Sequence, residues 1–303
     1  MVSWAVAAAL AVGGCTSPPS TVPPVATASG SGPPSRATPS AAATTATPEP
    51  TAPTTAPLAL SSVVNFRDVA GPGLRLSDGR RLSPGVVYRS AKLLTASRSD
   101  LRRLSRAGLA LVIDLRTEPV ARAQPDPEVA GARHVRVDLF GPGGGPRATG
   151  SSVADARAAM RRMNAEFVTS AYERARTADV LRLIASATGP VLIHCQAGKD
   201  RTGWISAVLL LAAGAERADV ITEYLKSNAY RAGAIAASYR RTLAAKGLLA
   251  ARIDRAHQRV EASYLGAALD ELYSRYGTVE NYLTDGLGLS SRTVERLRAR
   301  LTG

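Results

Sequence analysis

Apolar positions in this chain gather into short, β-branched runs separated by longer stretches of helical period. Val86 to Arg89, Leu109 to Leu115, His134 to Phe140 and Val191 to Cys195 read as strands. Gly189-Pro190 breaks the chain just before the last of them, and Trp204 to Ala213 follows as an apolar helical run. Strands alternating with helical segments predict an α/β fold on a mainly parallel central sheet flanked by helices. From Ala215 onward the pattern is almost wholly helical, so the last third is expected to be helix-rich. Ser152 to Arg174 and Arg231 to Glu261, both rich in alanine and arginine, also read as helices.

Between the last strand and the apolar helix lies His194-Cys195-Gln196-Ala197-Gly198-Lys199-Asp200-Arg201-Thr202-Gly203. A thiol, an ammonium, a carboxylate and a guanidinium share one strand-to-helix turn, the chemistry of a cysteine-dependent phosphatase. A free thiol has a pKa of about 8.5, so a nucleophile at neutral pH needs help. The positive end of a helix and Arg201 supply it. Five residues between Cys195 and Arg201 are enough to curl backbone amides from Gln196 to Thr202 around a phosphate, with Ala197 and Gly198 in the curl and Gly198 permitting the tight turn. Arg201 can grip two phosphate oxygens at once, and Thr202 can hydrogen-bond the departing sulfur. Asp200 is the first candidate for the general acid, and Asp114, at the end of a strand, is the second. His194 is expected to orient the loop by hydrogen bonding. Lys199 is either a solvated charge or a holder of a second anionic group on the substrate.

These residues resemble the secreted, mycobacterial-type tyrosine and phosphoinositide phosphatases of bacteria, relatives of the eukaryotic dual-specificity enzymes. The resemblance extends to Asn65-Phe66-Arg67-Asp68-Val69-Ala70-Gly71, Tyr88-Arg89-Ser90-Ala91, Asp114-Leu115-Arg116, Glu223 to Asn228 and Tyr276 to Leu283, and so covers roughly residues 59 to 303. It implies Cys195 as nucleophile, Arg201 as phosphate ligand, Asp200 as acid and Lys199 as the residue that widens substrate choice toward phosphoinositides, with Arg67 and Asp68 in support. It also implies a helical lid, for which the two alanine- and arginine-rich stretches are candidates. Ala70 and Glu223 depart from the usual glycine and aspartate, and neither departure is expected to touch the chemistry. Two other functions use a similar loop: a catalytically silent phosphate- or phosphoinositide-binding module, and sulfur transfer through a persulfide. The intact Cys, Asp and Arg speak against the first, and the Asp-Arg-Thr-Gly continuation against the second.

The N-terminus is different material. Trp4 to Val12 is a short apolar run ending in Val12-Gly13-Gly14-Cys15, which has the form of a lipobox. Residues 1–15 are therefore expected to be a signal peptide with Cys15 acylated, although the run lacks a basic start; a plain secretory signal is the alternative. Residues 16–58 are nearly all Ser, Thr, Pro, Ala and Gly and are expected to form a disordered linker. That leaves 59–303 as one catalytic domain, exported and either tethered to the outer face of a membrane or secreted.

Composition adds three constraints. With 303 residues and 45% hydrophobic content there is material for one full-sized core. The net charge of +14 falls on the folded part, since the first sixty residues contribute only Arg36 and Glu49. It implies an acidic partner, phosphorylated proteins or anionic headgroups; the aromatic content of 5% and the lack of a concentrated basic stretch argue against nucleic acid. Two cysteines, with distinct roles, leave no disulfide, and His134, His194 and His257 are too scattered for a metal site. No cofactor is expected.

Overall fold

The computed structural model describes residues 57–141, 145 and 151–303. The expected signal peptide, Cys15 and all but the end of the expected linker lie outside the described residues. Strands β1 (Arg67–Asp68), β2 (Val87–Ser90), β3 (Leu111–Asp114), β4 (Arg133–Arg136) and β5 (Val191–His194) form a five-stranded sheet in the order β1-β2-β5-β3-β4. Only β1 runs antiparallel to its neighbour. The central place of β5 follows from its continuous apolar run, buried on both faces as in other parallel sheets. Successive residues face opposite sides: Val191 and Ile193 enter the larger core, Leu192 the smaller one with Tyr88, Val112 and Leu104.

The helices are α1 (Arg98–Arg106), α2 (Glu118–Ala123), α3 (Val153–Thr169), α4 (Ala171–Ser186), α5 (Arg201–Ala213), α6 (Arg217–Leu225), α7 (Ser227–Tyr230), α8 (Ala232–Gln258), α9 (Ala262–Tyr276), α10 (Val279–Asn281) and α11 (Ser291–Thr302), with a π-helical turn at Tyr282–Gly286. Every residue of α5 from Thr202 to Ala213 is buried, which is why its sequence is apolar all round. Gly214 ends it in the left-handed region, at φ 99°.

Three elements differ from the sequence pattern. The apolar run His134 to Phe140 stops being strand at Arg136; one further ladder bond joins Val137 to Asp114, and the Asp138 carboxylate then caps the amides of Phe140 and Gly141 in a turn. Ser152 to Arg174 is broken at Ser170, which ends α3 and caps α4 by accepting from the Glu173 amide. Arg231 to Glu261 contains α8, but Gly247 interrupts it at φ 80° and ψ 178°, a conformation open chiefly to glycine.

At the carboxyl end of the sheet Ser90, His194 and Asp114 lie abreast. The chain that leaves β5 there enters α5 directly, so the Cys195 loop sits where ligands of parallel sheets bind. Beneath α5 an aromatic column runs Phe140, Phe167, Trp204, Tyr282, with centroid separations of 6.0, 5.8 and 6.0 Å. Phe167, Trp204 and Tyr282 are wholly buried. Trp204→Ala is expected to cost about 3–5 kcal/mol, read as a lower denaturation midpoint with an unchanged slope.

Candidate active site

The loop from Cys195 to Arg201 turns tightly at Gly198, whose φ is 65°. A Cβ there would lie 2.2 Å from the Ser90 carbonyl oxygen, so a side chain is excluded by contact as well as by conformation. The loop carbonyls are held from outside. Asn65 Nδ2 donates to the oxygens of Gly198 at 2.7 Å and Ala197 at 3.2 Å, and Arg89 Nη2 donates to Gly198 at 2.7 Å. Because C=O and N–H point to opposite sides of a trans peptide, amides of the same segment face the enclosed side.

Those outside donors are themselves fixed by one carboxylate. Glu223, on α6, accepts from Arg67 Nε at 2.6 Å and from Arg89 Nη1 at 2.6 Å. Arg67 also donates to Asn65 Oδ1 at 2.6 Å and to Ser227 Oγ at 3.0 Å, and stacks on Tyr230. Burial alone would raise Glu223, but Arg89 and Arg67 outweigh it and hold the carboxylate below its usual range. Arg67, pushed down to about 10 by burial and by Arg89, remains charged at neutral pH. Glu223 was expected to be a harmless departure; the structure places it under the Cys195 loop. Asp68, by contrast, is not brought to the loop: its carboxylate accepts from the amides of Ala70 and Gly85 and holds the turn after β1.

Cys195 is 3% exposed. Burial opposes its ionisation, yet Arg201 and the Thr202 hydroxyl and amide prevail, so the thiol sits below its ordinary value. The Thr202 hydroxyl has no nitrogen or oxygen partner and is left to the sulfur. Arg201 donates to the Leu115 carbonyl at 3.1 Å and lies 4.4 Å above the Phe140 ring, which sets its plane at the top of the aromatic column. Lys199 is buried, not solvated, and pairs with Asp200 Oδ2 at 2.6 Å; the other oxygen of Asp200 is buried without a partner. Arg231, the residue before α8, is also buried; among the described residues its guanidinium hydrogen-bonds Gln258, and it is near enough to act on Cys195 and Asp200. Burial lowers both Lys199 and Arg231.

A second charged group lies behind β5. Arg116 bridges Asp114, at 2.7 Å, and Asp126. Burial would raise Asp114, but the Arg116 bond and His194 overcome it and keep it below the usual carboxylate range, a poor state for a proton donor. The buried His194 imidazole faces Asp114 and Asp126 at 3.8 and 3.4 Å, and desolvation pushes its pKa down. Ligand atoms of Asp114, Asp126 and His194 lie within 4.8 Å of one another, but Arg116 already supplies the positive charge a metal would bring. Gln196 Nε2 donates to Gln124 Oε1 at 3.0 Å, an oxygen that also receives Lys92 and so ties the loop to this side.

A family model described as the tyrosine phosphatase family matches residues 58–303. The chain belongs to that family. It is a phosphatase, with curated relatives of the same kind. A Cupriavidus necator protein assigned to the tyrosine-protein phosphatases is 33% identical over 244 residues, 76% of this chain and 84% of the relative. The triple specificity protein phosphatase PtpB of Mycobacterium tuberculosis is 33% identical over 277 residues, 79% of this chain and 96% of that one. A solved structure of Pseudomonas aeruginosa TpbA in complex with phosphotyrosine covers 46% of this chain and 67% of its own at 20% identity, with a TM-score of 0.25.

Asn65, Arg89, Glu223, Arg231 and Glu173 were not anticipated as site residues. An arginine between apolar positions in a strand, as at Arg89, was the available signal, because a buried guanidinium needs an acid somewhere. Glu173 carried no signal. It is buried on α4 with one oxygen unpartnered, and burial, reinforced by Glu166 and opposed by Arg201, raises it to about 8.

Two outcomes follow from these charges. Glu223→Gln leaves two buried guanidiniums short of a counter-charge and is expected to destabilise the fold by about 3 kcal/mol; Glu280→Gln, at an exposed pair with Arg298, is expected to cost under about 1 kcal/mol. Denaturant titration checks both. Glu173 is protonated in the folded state across a range where the unfolded chain is ionised, its pKa raised from 4.5 to about 8. Its stabilising contribution is therefore complete below the unfolded value and is lost as pH rises through the folded one. Glu173→Gln is expected to flatten the fall in melting temperature between pH 4.5 and about pH 8, as thermal scans across that range will read.

Proposed function

We propose that this phosphatase works through a phosphocysteine, with Cys195 as nucleophile, Arg201 as phosphate ligand and Asp200 as general acid and then base. The observation that carries the reading is the Cys195 thiol, held below its usual pKa beside a loop whose Ala197 and Gly198 carbonyls are drawn outward. The thiolate attacks phosphorus, the P–O bond to the leaving group breaks, and Asp200 delivers its proton to that oxygen. Loop amides and the Arg201 fork meet the charge that develops on the equatorial oxygens. The now ionised Asp200 takes a proton from water as it attacks phosphorus, the S–P bond breaks, and phosphate leaves from a thiolate stabilised by Thr202.

A bound phosphate dianion competes with Asp200 for Lys199, which loosens the 2.6 Å pair and frees the carboxyl to carry the proton. Asp114 is the weaker candidate for acid because Arg116 engages it. Phosphotyrosine is the leading substrate class. Lys199 and Arg231 add positive charge beyond Arg201, which supports a second anionic group on the substrate and hence phosphoinositides; phosphoserine and phosphothreonine are the remaining class. The relative from M. tuberculosis is named for triple specificity. The lipobox-like Val12-Gly13-Gly14-Cys15 supports export and acylation at Cys15, with membrane tethering or secretion as the outcome.

Phosphate release by the full chain in reductant, from phosphotyrosine peptide, phosphothreonine peptide and phosphoinositide vesicles, tests this. Cys195→Ser is expected to abolish turnover, and Asp200→Asn to lower kcat by roughly 10²–10⁴-fold with a smaller change in KM. Asp114→Asn should be milder. Equal loss in both aspartate variants would return Asp114 to contention. No turnover, with phosphate analogues still bound, would leave a silent anion-binding module.

A further inference from the structure

Helix α8 folds back on itself at Gly247. Ser238 Oγ donates to Asp254 Oδ2 at 2.8 Å, Arg255 stacks on Tyr239, and Arg231 binds Gln258, so the arms on either side of the glycine lie alongside each other. The root of this hairpin is set beside the catalytic loop, where Arg231 acts on Cys195 and Asp200, and His257 on Lys199 and Asp200. Among the described residues its tip is exposed. Leu243, Leu248 and Leu249 are 39%, 49% and 58% exposed, while inward positions such as Ile235, Ala251 and Ala256 are buried. At about 1.5 Å per residue the tip lies roughly 20 Å from the root.

The charge around the leucines has one sign. From Ala232 to Ile253 there is no Asp or Glu, but there are Arg240, Arg241, Lys246 and Arg252. We propose that this tip is a membrane-docking surface, seated on a bilayer rich in anionic lipid, with the three leucines entering the headgroup boundary and the basic side chains lying among the lipid phosphates. A second copy of the chain would bring the same positive charge against it. A protein partner would more often be met by a tyrosine or tryptophan anchor in a concave patch than by small and aliphatic residues on a protruding tip. Among the described residues no helix is long and apolar enough to cross a membrane, and the contact proposed is interfacial. It stands apart from the phosphatase chemistry, since it uses none of the loop residues.

The test uses the full chain carrying Cys15→Ser, so that acylation cannot contribute, in flotation with phosphatidylcholine vesicles that either contain or lack phosphatidylserine. Two variants accompany it: Arg240→Gln/Arg241→Gln/Lys246→Gln, and Leu243→Ser/Leu248→Ser/Leu249→Ser. The parent is expected to prefer the anionic vesicles, the charge variant to lose roughly fivefold in affinity per side chain removed, and the leucine variant to lose binding to both kinds. Turnover of a soluble phosphotyrosine peptide should be unchanged, which also reports folding; if the triple leucine change does not fold, Leu249→Ser alone takes its place. A parent that ignores anionic vesicles, or variants that float as the parent does, would overturn the proposal. So would a leucine variant that loses a concentration-dependent dimer and keeps its vesicle binding, since the tip would then join copies of the chain.

Discussion

One buried carboxylate decides how the Cys195 loop can fold. Glu223 receives both Arg67 and Arg89, and through Arg89 and Asn65 that charge reaches the carbonyl oxygens of Ala197 and Gly198. A short loop at a strand end could equally well curl with its carbonyls inward, and would then repel an anion. Charged donors placed behind the loop make the other curl the stable one, because a carbonyl without a partner in that interior would cost about 1–3 kcal/mol. Two cations against one anion also leave a net positive charge under the loop, which favours a thiolate in front of it.

The two charged groups around β5 differ in balance, and the difference suits their positions. Behind the strand, Arg116 meets Asp114 and Asp126 while His194 is pushed toward neutrality, so positive charge is consumed there. In front, Lys199 and Arg231 act with Arg201 around Asp200, while Glu173 beside Arg201 is pushed toward its neutral form. An incoming dianion thus meets an unbalanced field on one side, and Arg201 is held there by Phe140.

What could be read from the sequence was what is local in it. The thiol, the guanidinium and the strand-to-helix turn lie within a few residues of one another, and the alternation of apolar runs was enough for a mainly parallel sheet. The support was illegible because it is distant: Glu223 is 156 positions from Arg67 and 134 from Arg89, and spacing says nothing about such pairs. Asn65 was visible only as part of a motif, and its left-handed backbone, at φ 62°, emerges only in the fold. The break at Ser170 was obscured because the apolar pattern of α3 runs on into α4, and a lone serine is a weak punctuation mark. Lys199 could not be placed as exposed or buried from its position, because its burial depends on distant residues such as Arg231.

The aromatic column gives the molecule an optical property. The sequence contains two tryptophans, Trp4 and Trp204, and the second is wholly buried one ring away from Phe167, itself stacked beneath Phe140, on which Arg201 rests. An indole stacked this way emits according to the packing and charge around it. Any event that lifts the guanidinium toward a phosphate therefore passes along two stacked rings to the fluorophore, and occupancy of the loop has a native reporter that requires no label.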